Sequence, residues 1–199
     1  MNLRKFFWFV APIALVALGG CAHPVSIVPD ASKLVRSEAK PLVEAQVGYF
    51  ISDQNRALQV TTAGGGGDSV KYAPYADLEA GLVKVLSNVF SGVHLVKDAQ
   101  DKEFLKGKNI SYVFTPKITT NSSSRNNFFW PPTDFTATIQ CVASDNQGQQ
   151  KWQTKVEAEG GLLAVKETLG DHGIAGRRAL QNALSKLQSE LESAPEFRK

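Results

Sequence analysis

The stretch FTATIQCVASDNQGQQKWQTKVEA, Phe135–Ala158, decides the fold. Phe135, Ala137, Ile139, Cys141 and Ala143 alternate with Thr136, Thr138 and Gln140, a period of two that marks a strand with one apolar face. The polar run Ser144–Gln150 turns the chain. Trp152, Thr154, Val156 and Ala158 then repeat the alternation on the way back. The spacing predicts an antiparallel hairpin, and a sheet with one greasy face needs a cover.

Two helical stripes can supply that cover. Leu78, Leu82, Val85, Leu86, Val89 and Phe90 recur at helical spacing, with Asp77 expected as N-cap, Glu79 in the first turn and Gly92 as the stop. Ile174, Leu180, Leu184, Leu187 and Leu191 make a second stripe, in a helix expected from Asp171 and ended by Pro195. Leu42–Ile51 alternates as a strand. Ala57–Thr62 is expected to pair back on it across a polar turn, Ser52–Arg56. Val93–Val96 reads as a short strand, and Asp98–Asn109 as a polar connection with a helical turn near Phe104. Ile110–Thr119 is another strand, with Pro116 suggesting an edge position or a bulge. The sum is an α+β two-layer sandwich: a mainly antiparallel sheet with two amphipathic helices on one face.

The front of the chain has a different character. Arg4 and Lys5 precede an apolar run, Phe6–Leu18, broken only by Pro12. That run is too short for a membrane-spanning helix, which takes about 20 residues. A basic start, a short apolar centre and small residues at the end read as a secretory signal. Its end, Leu18-Gly19-Gly20-Cys21, resembles the lipobox of bacterial (Gram-negative) lipoproteins. The resemblance implies cleavage before Cys21 and acylation of that cysteine on sulfur and amine, as with palmitate. Two or more chains give stable attachment where one is marginal. Ala22, standing where an aspartate would redirect sorting, implies the outer membrane, periplasmic face. The expected partition is therefore a signal peptide over 1–20, a lipidated N-terminus and flexible tether over 21–41, and one domain over 42–199. Three prolines and no period in Ala22–Pro41 suggest the tether, which could reach roughly 60 Å if fully extended. By element order alone, the domain is similar to small accessory lipoproteins of the lipopolysaccharide-assembly-lipoprotein type and to the N-terminal domain of the Tol-system propeller protein.

Charge and cysteine content narrow the chemistry. The 22 Lys and Arg include Arg4 and Lys5, so removing residues 1–20 lowers the net charge from +3 to +1 against 19 Asp and Glu. No nucleic-acid footprint follows from that. Cys141 lies on an apolar strand face and reads as a small buried hydrophobe. The histidines His23, His94 and His172 are not at metal-ligand spacing, and no cofactor motif is present. Gly64–Gly67 runs into Asp68, an anion unsuited to a phosphate cradle, so a flexible loop or wide bulge is expected there. Asp68, Asp77 and Glu79 are the carboxylates that a glycan hydrolase would need, with structural duty as the simpler account. Ser122–Ser124 has no ordered base nearby in sequence.

The segment richest in unexplained information is TTNSSSRNNFFWPPTDF, Thr119–Phe135. As a hairpin connection it is unusually long, and long loops tend to be functional. It joins a polar base to Phe128, Phe129 and Trp130, stiffened by Pro131-Pro132. Arg and aromatics are the composition of contact hot spots. Arg125, Phe128, Phe129 and Trp130 are thus the candidate partner contacts, the alternative being that Phe128 and Trp130 fold under the sheet. The function expected is a non-enzymatic envelope lipoprotein that docks on an envelope protein. A periplasmic binding module for glycan, lipid or peptide is the second reading, and a cell-wall hydrolase the third.

Overall fold

The Phe135–Ala158 hairpin forms as its alternation predicts. The computed structural model describes residues 22–125, 130–162, 164, 166, 167 and 170–198. Along the chain the elements are β1 (Ala22–Pro24), β2 (Val43–Tyr49), α1 (Asp53–Ala57), β3 (Val60–Ala63), β4 (Ser69–Tyr72), α2 (Pro74–Val89), β5 (Phe90–Leu95), α3 (Lys102–Gly107), β6 (Ile110–Ser123), β7 (Asp134–Asp145), β8 (Gln150–Gly161) and α4 (Ile174–Ser193). The β7–β8 turn is held locally. Asp145 accepts hydrogen bonds from the amides of Gln147 and Gln149, and Gly148 takes the left-handed φ of 81° that a side chain would resist.

Five strands form the main sheet in the order β5-β2-β6-β7-β8. Both α2 and α4 pack on the sheet and on each other. Phe135, Ala137, Ile139, Cys141 and Ala143 are buried against Leu180, Leu184, Leu187 and Leu191 of α4 in one core that also takes in Leu78, Leu82, Val85 and Leu86 of α2. This is the α+β sandwich expected from the stripes. Burial pushes the Cys141 thiol up to about 12, so it stays protonated and inert.

The pairing of the strands departs from expectation. β2 does not fold back on β3. It lies parallel to both β5 and β6, so the sheet is mixed, although its two longest ladders, β6–β7 and β7–β8, are antiparallel. The supposed turn Ser52–Arg56 starts α1, where Ser52 caps by accepting from the Asn55 amide. Val47, Gly48 and Tyr49 are buried in succession because β2 is covered on both faces, as parallel strands commonly are. The second cover is a small cluster, Val96, Leu105, Ile110 and Val113, under α3. β3 instead pairs with β4, and β4 with β1, in a separate three-stranded sheet.

Three local readings also change. α2 begins at Pro74 with Ala73 as its cap, so Asp77 sits inside the first turn rather than capping it. Its carboxylate accepts the Ile27 amide at 3.3 Å. Gly92 is not the stop. Phe90 is already extended, and its ring packs 5.3 Å from both Phe114 and Phe197, while Gly92 lies within β5. Pro116 falls just past the last β2–β6 pair, Tyr49↔Phe114, on a stretch of β6 whose outer edge is free of β2. The missing N–H therefore costs no ladder bond.

The largest correction concerns the tether. Ala22–Pro24 is a strand, paired in parallel with Ser69–Lys71. Ile27 is wholly buried, and a Cβ at Gly176 would collide with it. Leu34 is buried too. Asn88 donates to the Leu34 carbonyl and to Gln188, whose amide donates to the Val35 carbonyl. Residues 22–35 are thus a packed strap across the helix layer. It shows no period because it crosses several elements and offers each one a single plug.

Candidate functional site

The strap brings residues far apart in sequence to one end of the molecule. Ala22 pairs with Ser69, immediately after the turn that joins β3 to β4. That turn, Gly64–Asp68, is tight rather than loose: Gly64 donates to the Asp68 carbonyl, and Gly66 and Gly67 take φ of 64° and 88°. It is fixed to the end of β6 by hydroxyls. Ser122 Oγ lies 2.6 Å from Thr62 Oγ1 and donates to the Ala63 carbonyl, and Tyr72 Oη lies 2.8 Å from Thr120 Oγ1. An open groove of about 500 Å3 runs between the glycine turn and Ser123–Ser124.

Beside it stands Trp130. Its ring stacks on His23 with centroids 3.9 Å apart and meets His172 edge-on at 5.1 Å. The Trp130–Pro131 peptide is cis. On the other side of His23, its Nε2 approaches Asp68 Oδ2 at 3.3 Å. Two histidines far apart in sequence therefore flank one tryptophan. No local signal could have paired them, since the contacts span the whole chain.

The candidate contact residues divide as follows. Arg125 is exposed, and it grips Asp134 through Nε and Nη2. Burial pushes the Asp134 carboxyl up, but hydrogen bonds from Arg125 and Thr133 outweigh that and leave it below the usual carboxylate range. Trp130 is half-buried, leaning on the core without being enclosed by it. Cys21, Phe128 and Phe129 lie outside the described residues. The connection between β6 and β7 is shorter than the sequence suggests, residues 124–133, because β6 extends to Ser123 and β7 starts at Asp134.

The three carboxylates considered for a hydrolase are dispersed into separate partnerships. Asp68 faces His23, and Asp77 holds the strap. Glu79 accepts from the Tyr49 hydroxyl and from Arg56 through Nε and Nη2. The Arg56 hydrogen bonds hold the Glu79 carboxyl below its ordinary value, while burial followed by the Glu79 contact pushes Tyr49 up to about 12. Among the described residues no group of three His, Cys, Asp or Glu side chains is placed to hold a metal ion. His94 is tied to Gln46, with 2.8 Å between Nε2 and Oε1.

No protein-family model matches the chain, and no curated protein sequence does. Solved structures of similar shape do exist. A Xanthomonas campestris protein described under the family model DUF330 superposes with a TM-score of 0.52 at 11% identity, over 86% of this chain and 93% of that one. A minor lipoprotein from Acinetobacter baumannii gives 0.45 at 15% identity, over 76% and 95%. PelC from Paraburkholderia phytofirmans, solved as a dodecamer, gives 0.47 at 12% identity, over 78% and 94%. The first of these fixes the likeness at the level of the fold.

Proposed function

We propose that the protein is a non-enzymatic lipoprotein of the cell envelope, held at the periplasmic face of the outer membrane by acyl chains on Cys21, where it docks on an envelope protein. One observation carries the reading. The basic start, the short apolar run and Leu18-Gly19-Gly20-Cys21 lead straight into a folded body whose first strand opens at Ala22. Two or more acyl chains would make that attachment stable. The candidate docking face is the residue 124–133 connection with Arg125, Phe128, Phe129 and Trp130. Aromatics beside an arginine suit the centre of a protein contact.

Labelling cells with a clickable palmitate analogue tests the attachment. The label is expected on the wild-type protein and absent from Cys21→Ala, which leaves the membrane fraction. Label and membrane fractionation both surviving in Cys21→Ala would end the reading. Docking is tested by pull-down from envelope extracts with Phe128, Phe129 and Trp130 changed to Ala. Loss of specific partners is expected, and an unchanged partner set would count against this face.

The second reading, a binding module for glycan, lipid or peptide, draws on the open groove lined by Gly64–Gly67, Ser69, Ser123 and Ser124, whose backbone and hydroxyl groups suit polar ligands. A co-purifying small molecule in native mass spectrometry would favour it over docking.

A further inference from the structure

We infer that the end of the domain carrying His23, Trp130 and the Gly64–Asp68 turn rests directly on the lipid leaflet, with Trp130 at the headgroup boundary. This rests on the attachment through Cys21 proposed above. It adds an orientation and a contact surface which that attachment alone does not specify, and it takes Trp130 as a leaflet contact, leaving protein docking at this connection to Arg125, Phe128 and Phe129.

Chain geometry carries the argument. Cys21 is one peptide from Ala22, so its α-carbon lies within about 4 Å of the start of β1 wherever it points. β1 has no slack to pay out. Its ladder to Ser69–Lys71 continues through the Val25 amide to the Lys71 carbonyl at 3.0 Å, and Ile27 then plugs into the core. A free tether would leave the domain tens of ångströms from the leaflet in any orientation. A welded strap brings whatever surrounds Ala22 to the leaflet, and what surrounds it is the glycine turn, the end of β6 and Trp130.

The chemistry of that surface fits. Tryptophan, with an apolar body and one N–H, favours the membrane interface, and Trp130 is half-buried. Around it the turn offers glycine and serine, which add no bulk. Two carboxylates at this end are paired with arginines, Asp134 with Arg125 and Asp171 with Arg177 at 2.9 Å, while Asp68 faces His23 at 3.3 Å. Repulsion from anionic headgroups is thereby muted.

The test uses the lipidated mature protein in vesicles of phosphatidylethanolamine and phosphatidylglycerol, with and without brominated acyl chains. Tryptophan emission is compared between wild type and Trp130→Phe, so the difference reports Trp130 alone. The expected result is loss of the Trp130 emission in brominated vesicles, with the remaining Trp152 emission unchanged, since Trp152 sits among Phe114 and Phe197 towards the far end of the sheet. Slower amide exchange at Gly65–Ser69 on reconstitution is expected alongside and does not depend on any substitution. Undiminished Trp130 emission and unaltered exchange, on protein that carries the acyl label at Cys21, would overturn the orientation while leaving the attachment intact. Absence of the label would instead strike the attachment itself.

Discussion

The two ends of the main sheet are built on opposite principles. At one end, the β7–β8 turn closes on itself: Asp145 caps the amides of its own loop, Gly148 supplies the left-handed residue, and Lys151 pairs with Asp145 at 3.0 Å. At the other end, the contacts that join the elements are long-range. His23 meets Trp130, Ile27 meets Gly176 and the Asp77 carboxylate, and Ser122 reaches the strand before the glycine turn. A locally closed end can form early and needs little from the rest of the chain. An end assembled from distant segments forms only when the whole fold does, because loop-closure entropy must be met first.

That contrast can be broken most forcefully at Ile27. Ile27→Ala empties a fully buried site under α4 and is expected to cost about 2–5 kcal/mol in urea unfolding. A loss below half a kilocalorie would mean the strap is decoration. Gly148→Ala challenges the opposite end. A side chain at φ 81° should cost roughly 1–2 kcal/mol, and the change should speed unfolding or slow folding according to how early the hairpin forms, which a chevron plot reads out. Next in size is the His23–Trp130 contact. A double-mutant cycle with His23→Ala and Trp130→Ala should return a coupling of about 1 kcal/mol, and additive single losses would deny that the stack matters.

The smallest effect is a dependence on pH, and it sharpens the contrast within one turn of α2. Glu79 is held below its ordinary 4.5 by Arg56, so its stabilisation is present above that value and lost as pH falls through the lowered one. Asp77 is pushed above 3.8 by burial, so its contribution has the opposite sign: present in acid, lost as pH rises through the raised value. Glu79→Gln should therefore cost roughly 1 kcal/mol at neutral pH and flatten the acid limb of stability. Asp77→Asn, keeping an acceptor for the Ile27 amide, should cost less at neutral pH than in acid. Thermal melts across the acid range check both.

What could be read from the chain follows the same division. The β7–β8 hairpin, both long helices and the burial of Cys141 were legible because their signals recur within a few residues: alternation, helical stripes, a Gly-containing turn. The strand β2 is legible but its partners are not, because parallel partners leave no turn between them, and its nearest neighbour in sequence, Ala57–Thr62, offers a tempting hairpin. The strap was illegible for a related reason. Ile27 and Leu34 are isolated plugs separated by proline and polar residues, a pattern that sequence shares with a true linker. Trp130 stood out by composition, but its neighbours His23 and His172 did not, because nothing within reach of either residue announces the other.

The parallel bond between β1 and β4 has a mechanical corollary. Any tug on residue 21 runs along the strand and loads its three ladder positions together in shear, with the Ile27 plug behind them as a backstop. Such a joint yields abruptly instead of stretching. With the attachment at Cys21 proposed above, motion at residue 21 would be handed to the domain as by a rigid lever, and the body would tilt and turn with it.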